Sequence, residues 1–141
     1  MLNKRAKIEY SIQRINQEYR GFEAETATNV TKQDSIILNL QRACEQSIDL
    51  AKRIIQLKQL GIPQSARDSF QILANNAIIS PELAKNLQSM VGFRNIAIHS
   101  YQGISIIILI SIINHHLDDF NQFIHAIFEH EQPPSSTNHA S

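Results

Sequence analysis

Apolar residues in this chain recur in alternating steps of four and three, and that alternation constrains the fold more than any other feature. Ile8, Ile12, Ile15, Tyr19 and Phe22 form one such ladder. Ile36, Leu40, Ala43, Ser47, Leu50, Ile54 and Leu57 form a second, widened by Ile37, Cys44, Ile48, Ala51 and Ile55. Ile106, Ile110, Ile113, Leu117, Phe120, Ile124 and Ile127 form a third. A mean step of 3.5 residues is the period of a helix face, whereas a strand would alternate every two. The run ISIIILISII, residues 104 to 113, is rich in β-branched side chains that favour sheets, but its spacing continues the third ladder and overrides that preference. The reading is all-α: a four- to five-helix up-down bundle.

Breakers mark where the ladders stop. Helix one is expected from about 3 to 20, and the long second helix ends at Gly61, where glycine suits a left-handed cap and Pro63 bars continuation. Ser65 and Asp68 form an N-cap pair for a short third helix carrying Phe70, Leu73, Ala74 and Ala77. Ser80-Pro81-Glu82 opens a fourth, with serine as the cap, proline first in the helix and glutamate at the positive end of the dipole. One last helix is expected from about 104 to 129. Its first half is apolar nearly all round, so it needs burial on two sides and predicts a subunit interface. Only four Gly and four Pro occur in 141 residues, two of the prolines in the tail EQPPSSTNHAS. Residues 1–130 therefore read as one helical domain and 131–141 as a disordered tail.

Charge and cysteine usage exclude several classes. Thirteen basic residues balance thirteen acidic ones, so no global field draws the chain to nucleic acid or to an anionic membrane. Any contact with nucleic acid must be local. The ten-residue apolar run is about half the roughly 20 residues that cross a bilayer as a helix. Met1 to Tyr10 lacks the apolar run and small-residue cleavage site of a signal peptide, and the lone Cys44 fits a reducing compartment and a place in the core. A cytoplasmic location is expected, with no membrane contact.

The stretch FRNIAIHSY, residues 93 to 101, breaks the apolar pattern. Leu83, Leu87 and Met90 define the inward stripe of helix four, and the next step of four lands on Arg94. An arginine on a buried stripe needs either a partner, such as Asp49, or a route for its head to water. Tyr101 lies within roughly 20° of Arg94 around an ideal helix, whereas His99 lies about 140° away. Arg94 and His99 converge only if the helix ends near His99, or if a second chain supplies its own copy across a two-fold axis. Taken singly, His99 is a helix-C-terminal histidine favoured by the dipole, and Tyr101 a half-buried ring with a wet hydroxyl.

Taken together, Arg-Asn-x-x-x-His-x-Tyr resembles the signature of the HEPN superfamily, and its HepT-like branch in particular. QRACEQSIDLAKRII (41–55), GIP followed by DSFQIL (61–73) and LAKNLQSMVGFRNIAIHSY (83–101) are similar to that family's blocks in the family's order. The resemblance spans roughly residues 5 to 130. It implies a homodimeric, metal-independent endoribonuclease toxin that needs no cofactor and acts on RNA in the cytoplasm. It also implies an MntA-type minimal nucleotidyltransferase antitoxin as partner, with higher hetero-oligomers between the two. Carried across by position, Arg94 and His99 become the catalytic pair, Asn95 the polar residue beside the arginine, and Tyr101 the acceptor of AMP. The alternative is a non-catalytic HEPN-like subunit that binds nucleotide, or serves as the interaction partner, within a nucleotidyltransferase complex.

Two further features carry weaker signals. His115 and Asp119 share a helix face at i, i+4, but no cysteine or second histidine joins them there, so they read as a solvated polar face rather than a metal site. Lys4, Arg5 and Lys7, and Lys52, Arg53 and Lys58, are basic clusters that read first as solvated faces and second as contacts for flanking RNA phosphates.

Overall fold

The computed structural model describes residues 1–99 and 105–131, with backbone alone at 98, 99, 130 and 131. Its described residues are helical or connecting, in the order α1 (Leu2–Tyr19), α2 (Glu23–Thr26), α3 (Val30–Lys58), α4 (Ala66–Asn75), α5 (Pro81–His99), α6 (Ile106–His115) and α7 (Leu117–Glu131). The all-α expectation holds. Residues 132–141, all but the first of the expected tail, lie outside the described residues, as do 100–104.

The ladders become the core. Ile8, Ile12, Ile15 and Tyr19 of α1 pack on Ile36, Leu40, Ala43, Leu50 and Ile54 of α3, all buried. Phe22, the next rung on α1, falls beyond the helix end and is 45% exposed, its ring face covered instead by the Lys32 ammonium at 4.5 Å. From α5 come Leu83, Leu87, Met90 and Val91, and from α7 Phe120, Phe123, Ile124 and Ile127. The Phe70 and Phe123 rings meet edge to face, with centroids 5.6 Å apart.

The caps largely follow the sequence. Ser65 accepts from the Asp68 N–H at 3.0 Å, while the Asp68 carboxylate accepts from the Gln64 N–H at 2.9 Å. Ser80 accepts from the Leu83 N–H at 3.1 Å. Asn29, a cap the ladders do not reveal, receives the Lys32 N–H at 3.0 Å and opens α3. The stop of α3 differs from expectation. Gln59, not Gly61, takes the left-handed conformation (φ 55°, ψ 50°), and the Leu60 N–H closes on the Ile55 carbonyl at 3.0 Å in a Schellman pattern. Gly61 follows in the loop at φ 126°.

The last ladder is not one helix. His116 leaves the helical region (φ −127°, ψ −4°) and divides it into α6 and α7. Its ring Nδ1 bonds the Asp119 carboxylate at 2.9 Å, in the first turn of α7, and Asn86 of α5 donates to the other Asp119 oxygen at 3.5 Å. These bonds stabilise the break, and they uncouple the buried faces of the two halves. In α6 the buried residues are Leu109, Ile112 and Ile113, while Ile106 and Ile110 of the ladder are only half-buried. Hence His115 and Asp119 do not act together; Asp119 is buried and bound to His116.

Among the described residues, two non-glycine residues hold left-handed φ at helix ends, Gln59 at 55° and Ala77 at 58°. Each carries a Cβ penalty of roughly 1 kcal/mol that glycine would not. Gln59→Gly and Ala77→Gly are each expected to stabilise the fold by up to about 1 kcal/mol, nearly additively, measured as a rise in the urea midpoint with unchanged slope.

Candidate active site

Arg94, Asn95 and His99 all lie on α5, which is helical without interruption from Pro81 through His99. Position 99 is therefore about 140° around the axis from Arg94, on the side reached from Ser89, Gly92 and Ile96 by one more step of three. One chain does not bring the two positions to a common point. The His99 side chain and Tyr101 lie outside what the structure describes, so the modification site expected at Tyr101 has no described geometry.

Arg94 sits on the α3 side of α5. Its side chain is half-buried, and its Nε is shielded from solvent with no hydrogen-bond partner among the described residues. Asp49, the acid considered as its partner, is instead 3.8 Å from Lys4 on α1. Among the described residues Arg94 thus has no ion-pair partner, and it is not fully snorkelled. It lies close enough to act on Cys44, whose thiol is pushed up to about 12, first by burial and against the pull of the Arg94 charge. The thiol donates weakly to the Met90 carbonyl at 3.7 Å, tying α3 to α5 one turn before the arginine. Asn95 is exposed.

On the opposite flank of α5, a groove of about 530 Å³ runs between α5 and α6. Asn86, Gly92, Phe93, Ile96, Ile108 and His116 are among its walls. Gly92 is a residue whose role the motif alone does not reveal. A Cβ there would stand 3.0 Å from the Arg67 guanidinium, so glycine lets a second arginine, brought by α4, lie against α5 two residues before Arg94. The Gln88 side-chain amide donates to the Arg67 backbone carbonyl at 3.0 Å, tying α5 to the first turn of α4. No three His, Cys, Asp or Glu side chains gather as metal ligands among the described residues. Among those residues, too, no helix is long and apolar enough to cross a membrane.

The shielded thiol yields a pH test. Because its pKa is raised from 9.0 when unfolded to about 12 when folded, the thiol's contribution to stability is complete below pH 9 and is lost as pH climbs through 12. Native protein is expected to resist a thiol reagent at pH 8 and to react once unfolded. Cys44→Ala should lessen the loss of stability between pH 9 and 12, read from denaturant midpoints across that range.

Comparison with known proteins finds similarity along nearly the whole chain. The family model described as Ribonuclease HepT-like matches residues 8–127. The mRNA nuclease HepT of Shewanella oneidensis is 50% identical over 127 residues, covering 90% of this chain and 95% of that protein. The tri-AMPylated HEPN toxin of Shewanella oneidensis, solved in complex with its MNT antitoxin, superposes with a TM-score of 0.86 at 50% identity, covering 91% of this chain and 96% of that one. A toxin–antitoxin complex with AMP-PNP superposes with a TM-score of 0.84 at 49% identity, covering 89% and 95%. Matched by the family model over residues 8–127 and by relatives over nine-tenths of its length, the chain belongs to the Ribonuclease HepT-like family of HEPN proteins.

Proposed function

We propose that this protein is the endoribonuclease toxin of a toxin–antitoxin pair, working as a homodimer in the cytoplasm without a metal ion, with Arg94 and His99 as its catalytic pair. One observation supports the assignment of Arg94 above the rest. A guanidinium held half-buried, with its Nε unpartnered, is costly for stability alone and suited to receiving a phosphate.

The chemistry suits the residue types. RNA supplies its own nucleophile, so the protein has only to move protons and hold charge. The 2′-hydroxyl attacks the adjacent phosphorus, and its proton passes to a base. The bond from phosphorus to the 5′-oxygen breaks, and that oxygen takes a proton from an acid. Products are a 2′,3′-cyclic phosphate and a free 5′-hydroxyl. His99, at the C-terminal end of α5, is the residue for proton transfer near neutral pH. Arg94 offers a planar fork that stays charged in an apolar setting and stabilises the extra negative charge on phosphorus. Asn95, exposed beside it, orients the phosphate.

The 140° between positions 94 and 99 is resolved by a second subunit. Ile96, Ile107 and Ile108 are 48%, 77% and 57% exposed along α5 and α6, an apolar surface that suits burial against another copy. A composite cleft requires a two-fold axis that brings the His99 end of one α5 to the Arg94 region of its partner. The antitoxin of this pair is a nucleotidyltransferase of the MntA type, which adds AMP to Tyr101. Two residues from His99, the added phosphate occupies Arg94 and the nucleoside blocks the cleft.

Purified protein is expected to cleave tRNA or mRNA in the presence of EDTA, leaving cyclic phosphate ends. Arg94→Ala and His99→Ala should each cut the rate by about 10²-fold or more, and protein carrying AMP should not cleave. Loss of cleavage in EDTA, or full activity in both variants, overturns the mechanism. Ile108→Glu is expected to shift the dimer toward monomer in sedimentation and to reduce cleavage in parallel; an active monomer would remove the composite cleft.

A further inference from the structure

A second pocket lies on the far side of α3 from Arg94. Arg42 and Gln46 each stand two residues from Cys44, hence about 160° around the helix from the face that meets α5. They face α1, where Ala6, Lys7, Tyr10 and Ser11 complete a cavity of about 430 Å³. That volume lies within the range of about 300–1,000 Å³ typical of small-molecule sites.

Three properties distinguish this pocket from an ordinary solvated groove between helices. The first is uncompensated positive charge. Lys7 and Arg42 line it, no carboxylate does, and neither cation has a hydrogen bond or ion pair among the described residues. The acids nearby are engaged elsewhere: Glu9 with Arg5 at 3.5 Å, Asp49 with Lys4 at 3.8 Å, and Glu45 accepting from Gln41 at 2.8 Å. The second is an unsatisfied buried acceptor. The Gln46 Oε1 is shielded from solvent and has no donor among the described residues, an arrangement that costs free energy until an N–H fills it. The third is an aromatic face. Tyr10 is 58% exposed, with its ring at the pocket wall rather than in the core.

Paired cations, an acceptor awaiting an N–H donor, and an open aromatic ring match the three parts of a nucleotide: phosphate, base edge and base face. Every RNA base carries an N–H on its edge, and stacking accepts any base, so such a site tolerates sequence. We propose that the pocket between α1 and α3, formed by Lys7, Tyr10, Arg42 and Gln46, binds a nucleotide at a place separate from the cleavage cleft. The nucleotide is either a unit of a bound RNA strand or a free mononucleotide; the RNA alternative rests on the ribonuclease reading above.

The probe is AMP, titrated by calorimetry or ligand-observed NMR into full-length protein. AMP should bind wild type and Arg94→Ala alike. Tyr10→Ala should weaken it about five-fold or more, Arg42→Gln, Lys7→Gln and Gln46→Leu should also weaken it, and adenosine should bind less tightly than AMP. Unchanged thermal midpoints in the exposed-residue variants Tyr10→Ala, Arg42→Gln and Lys7→Gln will show that they fold. If AMP does not bind, or if Arg94→Ala abolishes binding while Arg42→Gln and Tyr10→Ala leave it intact, the proposal is wrong. The source follows from cleavage kinetics on a long single-stranded RNA. A pocket that holds part of the strand predicts that Arg42→Gln raises KM with kcat unchanged and that AMP competes. One that holds a free mononucleotide predicts an unchanged KM alongside lost AMP binding. The AMP titration decides the site even if the protein cleaves no RNA, so the two readings fail separately.

Discussion

The closeness of α3 and α5 governs the rest of the molecule. Along the buried face of α3 the small side chains Cys44 and Ser47 leave room for Leu87, Met90 and Val91 of α5, and the Cys44 thiol reaches the Met90 carbonyl at 3.7 Å. Interiors packed to crystal density accept little added volume, so a larger residue at position 44 would push α5 outward and carry Arg94 with it. The arginine occupies the next position of the same stripe. Its half-burial, its unpartnered Nε and its effect on the Cys44 thiol all follow from this one helix–helix contact. A site made this way gets its rigidity from the core instead of from a dedicated loop.

Much of the architecture was legible because local and global preferences agree. The ladders on α1 and α3 became buried faces, and Ser65 and Ser80 capped the helices their neighbours predicted. Departures came where tertiary contacts outweighed local pattern. The 4-3 spacing runs straight through His116, because periodicity registers which residues are apolar and not whether two halves of a helix share an axis. The break depends on Asp119 being bound by His116 and by Asn86, thirty-three residues away in sequence. Likewise Gln59 took the left-handed position expected at Gly61, since the Schellman bond from Leu60 to Ile55 is set by where the last turn of α3 ends.

The candidate site divides along the same line. Residue types and spacing alone flagged Arg94, because a cation on an apolar stripe conflicts with burial, whereas Asn95 and His99 were singled out only through the resemblance to the HepT-like family. Arg67 and the pocket between α1 and α3 were not legible, since each is assembled from helices distant in sequence. Arg67 comes from α4, and its guanidinium lies as close to α5 as it does because Gly92 lacks a Cβ. Gln46 looks unremarkable as a letter; only a shielded oxygen without a donor gives it meaning.

An uninterrupted α5 also bears on how such a site can be controlled. On the reading proposed above, each cleft draws on two subunits, and a modification at Tyr101 would act on groups of both. A toxin must be silenced completely, and a switch placed at a shared cleft disables residues of two chains with one covalent event. The apolar face of α6 that such a dimer would cover is the most hydrophobic part of the sequence, so leaving it exposed would favour aggregation over a free, active monomer. On that proposal, assembly, catalysis and silencing depend on the same few turns of α5 and α6, which would account for charge, aromatic ring and isoleucine run lying so close together in this sequence.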